Sequence, residues 1–60
     1  MTAHEVRKLP PGFHVMANGV EYEVVNWFGK KLLHEPNTAN YKAIREEYKY
    51  DRIGAERPRI

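Results

Sequence analysis

Four basic residues, Lys42, Arg45, Lys49 and Arg52, recur at intervals of three and four in the C-terminal third of the chain. On a helix turning 100° per residue they share an arc of about 80°, and Glu46, Glu47 and Asp51 lie outside it. Arg45 and Lys49 then form an i,i+4 pair of like sign, which costs roughly 0.2–0.5 kcal/mol. A phosphate backbone along the stripe would offset that repulsion, because each neutralised phosphate releases condensed counterions. The chemistry that suits the pattern is contact with DNA or RNA phosphates. Lys30 and Lys31 would add charge from a nearby turn, and Arg7 and Lys8 from the N-terminal segment. A solvated helix face is the ordinary alternative.

The second candidate is Trp27, with Val25, Leu32 and Met16 on the same side of a sheet. Exposed tryptophan among aliphatic side chains marks partner sites. Beside Lys30 and Lys31 the ring also suits base stacking. A protein partner, an inhibitor or adaptor contact, or a second copy of the chain would use the same patch. Alternatively, Leu9-Pro10-Pro11 folds over it and completes a second small core.

Other constellations are weaker. His14, Glu23 and His34 contain the residue types of a zinc site, but neither histidine sits in a metal-binding motif, and His14 facing Glu23 reads as a cross-strand pair. No metal or cofactor is expected. Serine and cysteine are absent, so nucleophile-plus-base chemistry lacks its usual parts. Nothing in the pattern would desolvate the paired carboxylates Glu21/Glu23 or Glu46/Glu47 and raise a pKa. The glycines are scattered rather than gathered in a phosphate loop. An enzyme is not expected.

The elements that would position these groups are few. Sixty residues make one small domain, whose folding buries only about 60% of the unfolded surface. Without cysteine there is no disulfide or thiolate-zinc staple. Hydrophobic residues at 42% and charged residues at 30% fit a globular chain, and the formal charge of +2 favours an acidic partner only weakly. No segment approaches the ~20 apolar residues of a membrane span, and the N-terminus lacks a secretory apolar region. A soluble, cytoplasmic protein is the expectation.

Asn18-Gly19 is the strongest local signal, because both residues tolerate the positive φ of a type I′ hairpin turn. It sets Ala17 opposite Val20, Met16 opposite Glu21, Val15 opposite Tyr22 and His14 opposite Glu23. Phe13, Val15, Ala17, Val20, Tyr22 and Val24 then share one face, while His14, Met16, Glu21 and Glu23 share the other. A second turn at Gly29-Lys30 would pair Asn26 with Leu33 and Trp27 with Leu32, adding Asn26, Phe28 and Leu33 to the core face. Pro10-Pro11 makes residues 1–11 an extended arm. After Pro36, Asn37 or Thr38 is a suitable N-cap for a helix over 37–53 with a Tyr41/Ile44/Tyr48 stripe, and 54–60 is a tail.

The expected architecture is α+β: a three-stranded antiparallel meander over 12–36 packed by one C-terminal helix. That order of elements resembles the small DNA-binding modules of the integrase arm-binding and AP2 type, in which the sheet enters the major groove. Glu21 and Glu23 stand where those modules display arginines.

Overall fold

The computed structural model describes residues 1–55 and contains one short helix and one five-stranded antiparallel sheet. Helix α1 spans Ala3–Arg7, and the strands are β1 (Phe13–Ala17), β2 (Val20–Trp27), β3 (Lys30–His34), β4 (Tyr41–Ala43) and β5 (Tyr50–Ala55). Their order across the sheet is β4-β3-β2-β1-β5, a meander whose last strand returns to pair with the first.

The first hairpin forms in the expected register, with His14, Val15, Met16 and Ala17 opposite Glu23, Tyr22, Glu21 and Val20. Asn18 and Gly19 take φ of 53° and 82°, as the turn requires. The second hairpin differs. Its turn is Phe28-Gly29, with φ of 50° and 80°, so Val24 faces Leu33, Val25 faces Leu32 and Trp27 faces Lys30. The shift is two residues, and a two-residue shift leaves every side chain on its original face. Leu33 is therefore buried as expected and Leu32 stays outside. Asn26, Phe28 and Val20 are exposed, because they lie at strand ends or in the turn.

The C-terminal helix does not exist. Residues 41–55 form two strands joined by a turn, so a meander packed by a helix is corrected to a mostly-β sheet with a short N-terminal helix. Likeness to those DNA-binding modules falls with that helix. Local propensity in Lys42–Tyr48 favours helix, but tertiary pairing overrides it: β4 completes the β3 edge and β5 the β1 edge. Thr38 uses its hydroxyl in a turn instead of a cap, donating to the Glu35 carbonyl at 2.8 Å and accepting from the Asn40 amide at 3.1 Å.

The role expected of that helix falls to residues expected to be an arm. Thr2-Ala3-His4-Glu5 is a capping box: the Glu5 amide donates to Thr2 Oγ1 and the Thr2 amide to Glu5 Oε1. The Thr2 amide holds the Glu5 carboxyl below its ordinary range. The helix buries Ala3 and Val6 against Phe13, Val15, Tyr22, Val24, Leu33, Ile44 and Tyr50. Of the expected tail, β5 takes residues through Ala55, and 56–60 lie outside the described residues.

The link between the two edge strands packs on the core: Ile44, which follows β4, is buried. The Tyr50 hydroxyl, at the start of β5, accepts from the Arg45 amide at 3.0 Å and donates to the Arg45 carbonyl at 2.9 Å. Burial pushes the Tyr50 hydroxyl above the ordinary tyrosine value. The folded state thus holds the phenolic proton more tightly than the unfolded chain. That contribution is complete below about pH 10, the unfolded value, and is lost as pH rises through the folded one.

Two outcomes test this arrangement. Tyr50→Phe is expected to cost about 1–3 kcal/mol in chemical denaturation and to remove part of the alkaline loss of stability shown by the parent protein. Val6→Ala is expected to cost about 2 kcal/mol, since Val6 is fully buried. An unchanged midpoint for the Val6 variant would return residues 1–11 to an extended arm.

Candidate functional site at the β2–β3 turn

The outer face of the sheet divides by chemistry. Around β1 it carries His14, Met16, Glu21, Glu23 and Asp51, and His14 Nδ1 lies 2.7 Å from Glu21 Oε2. At the other end stand Trp27, Leu32 and Tyr41, from β2, β3 and β4 respectively. Glu21 is six residues along β2 from Trp27, or about 20 Å. Glu21 is thus remote from Trp27, whereas Glu23 approaches the aromatic group through its cross-strand partner His34.

Trp27 and Tyr41 are 55% and 51% exposed, with ring centroids 6.4 Å apart. They flank a shallow concavity of about 220 Å³ whose third lining residue is Leu32, on the strand between them. Phe28 meets Trp27 edge-on, at 4.8 Å and 81°. On the other side of Tyr41 stacks His34, at 4.7 Å; its Nε2 donates to the Thr38 carbonyl and Nδ1 lies 3.7 Å from Glu23.

Leu32 also borders a second concavity of about 470 Å³, lined by Arg7, Gly29, Lys30, Lys31, Ala43 and Ile44 as well. Three cations converge there from two elements. Lys31 Nζ donates to the Leu9 and Arg7 carbonyls at 2.6 and 3.3 Å, tying the end of α1 to β3. Arg7 Nη2 donates to the Ile44 carbonyl at 2.8 Å, and Nη1 reaches Glu46 at 3.4 Å. Lys30 is exposed and makes no ion pair among the described residues.

Of the eight basic residues singled out from sequence, the structure therefore gathers Lys30, Lys31 and Arg7. The helical stripe is gone with the helix. Lys42 and Arg52 lie on opposite edge strands, β4 and β5, and the Arg52 guanidinium sits 5.4 Å from the centre of the Phe13 ring. Arg45 is held by Glu47 at 3.1 Å. The Glu47 carboxyl is lowered, first by its own backbone amide and then by Arg45. Lys49 stands in the loop before β5, where its backbone exchanges hydrogen bonds with Asn18.

Trp27, Val25 and Leu32 share the outer face, whereas Met16 pairs with Glu21 and Asp51 near its acidic end. Phe28 and Tyr41 were assigned elsewhere by sequence reasoning. A Phe-Gly turn in the pattern of Asn18-Gly19 would have exposed the first. Nothing local marks the second, because only strand pairing brings Tyr41 beside Trp27.

Phe28 is in an unfavourable place. It occupies the first central turn position at φ 50°, where the other hairpin has Asn18 at 53°. An L-residue with a bulky side chain loses about 1–2 kcal/mol in the left-handed region. Contact with Trp27 returns about 0.5–1.5 kcal/mol, and with 89% exposure burial returns little more. Asparagine suits the position better. Phe28→Asn is accordingly expected to leave the thermal midpoint unchanged or raised. A loss of more than about 1 kcal/mol, beyond the reach of an exposed ring, would make Phe28 a structural residue.

His14 and His34 reach different carboxylates, Glu21 and Glu23. Among the described residues no group of three histidine or acidic side chains is placed to hold a metal, and no helix is long and apolar enough to cross a membrane. Comparisons of the chain with protein-family models, with curated proteins and with solved structures return no match.

Proposed function

We propose that this chain is a small non-enzymatic binding module that contacts nucleic-acid phosphates through Lys30, Lys31 and Arg7. The observation that carries this reading is the convergence of those three cations on one concavity at the β2–β3 end. The nearest acidic side chain, Glu46, meets only Arg7 among the three. Lys31 and Arg7 are already oriented by backbone carbonyls, so binding an anion costs them little further ordering. Their remaining N–H groups and the Lys30 ammonium are the donors for phosphate oxygens.

A second reading is favoured by the apolar lining of the neighbouring concavity, Trp27, Leu32 and Tyr41. In it the protein is an interaction module, and a protein partner or a second copy covers that face. The two readings separate by mutation and by salt. With about three phosphate contacts, binding of a labelled oligonucleotide measured by fluorescence anisotropy is expected to weaken with a log–log salt slope near −2 for a single strand. Lys30→Glu is expected to weaken it at least tenfold at low salt without changing the fold. Binding that is flat in salt, or unaffected by Lys30→Glu, would contradict the phosphate reading.

A further inference from the structure

We infer that the nucleic acid this site takes is a single strand, with unpaired bases stacked on Trp27, Tyr41 and Phe28 beside the phosphate-holding trough. The inference rests on the phosphate reading above and adds a role for the aromatic concavity.

The argument starts from the placement of the rings. Trp27, Leu32 and Tyr41 come from three adjacent strands and point out of the same face, so Leu32 forms a floor and the two rings its walls. The concavity's volume of about 220 Å³ leaves room for a flat ring system. The aromatic and basic concavities share Leu32 as a common border. Lys30 shares the outer face with Trp27 and Leu32, while Lys31 and Arg7 lie on the side that α1 covers. A strand whose base entered the aromatic concavity would bring its phosphates to Lys30 and round the β3 edge to the other two cations. Charge complementarity thus specifies the occupant that the apolar lining alone leaves open.

Two further observations favour a base over a protein side chain. Lys30 is the cross-strand partner of Trp27, beside the most exposed part of the patch. Lysine is depleted at protein–protein interfaces, whereas an ammonium next to an indole suits a stacked nucleotide. Phe28 keeps a strained backbone for a ring that is almost wholly solvent-facing. Strain of that kind persists where the side chain is used. Duplex DNA offers no free π-faces, because its bases already stack on one another; recognition by aromatic stacking belongs to unpaired bases.

The test uses the whole chain with a labelled oligo-dT, an oligo-U of equal length and a random duplex, each of ~12 nucleotides or base pairs, within the usual span of one such surface. Anisotropy at low salt is expected to show the single strands binding at least tenfold more tightly than the duplex. Trp27, the one tryptophan of the chain, is expected to lose fluorescence as unlabelled strand is added, a readout that needs no variant. Trp27→Ala and Tyr41→Ala are each expected to weaken single-strand binding about 5- to 150-fold, the equivalent of ~1–3 kcal/mol per stacked base.

Equal affinity for duplex and single strand, or unquenched Trp27 with unaffected variants, would overturn the stacking inference and leave the phosphate reading standing. Absence of binding to all three probes would overturn both, and the Trp27 face would then belong to a protein partner.

Discussion

One face of a five-stranded sheet must be kept from water by very little chain, and most of this structure follows from how that is done. Among the described residues there is no second sheet and no long helix. The segment that links the edge strands β4 and β5 instead packs Ile44 into the core, and the Tyr50 hydroxyl fixes it by a two-way hydrogen bond with the Arg45 backbone. The remaining opening is covered by five residues of helix, with Val6 fully buried and Leu9 packed behind it. Valine and leucine side chains buried to this degree contribute about 1.5–3 kcal/mol each. Four of them, Val6, Val15, Val24 and Leu33, are completely enclosed.

Covering the sheet in this way has a consequence for the outside. The end of α1 must be anchored on β3, and Lys31 anchors it by donating to the Arg7 and Leu9 carbonyls. Arg7 is brought in by the same closure and binds the Ile44 carbonyl. A basic trough at the β2–β3 end is therefore a by-product of closing the core. The aromatic concavity beside it arises independently, from strand pairing that lines up Trp27, Leu32 and Tyr41. The two share Leu32, and at the adjoining turn, Phe28-Gly29, the first residue departs from the type the backbone prefers. Local rules are broken in natural proteins chiefly where a function requires it.

Legibility in the sequence followed the range of the interaction. Asn18-Gly19 states its turn within two residues, and the alternation on either side makes any odd slip expensive, so the first hairpin could be read to the residue. In the second hairpin only the parity could be read: Gly29 marks a turn but not which central position it fills. Trp27, Val25 and Leu32 thus fell on the correct face with displaced partners. The capping box of Thr2 and Glu5 is a legible helix start, and Pro10-Pro11, on which the extended arm was read, begins only after the helix has ended. Residues 41–55 were not legible at all. Their helical spacing of basic residues is real, but β4 and β5 are held by partners up to about forty residues away in the chain, and no local pattern encodes such pairings.

The central claim is that binding is confined to the end of the sheet where Trp27, Lys30, Leu32 and Tyr41 meet. A residue-by-residue NMR titration of the labelled chain with a short single-stranded oligonucleotide tests it most directly. The account predicts amide and ring shifts concentrated at Arg7, Trp27–Leu32 and Tyr41–Ile44, with β5 and the β1–β2 turn at Asn18–Glu21 unmoved. Shifts centred on Lys49 and Arg52, or spread evenly over the surface, would contradict it.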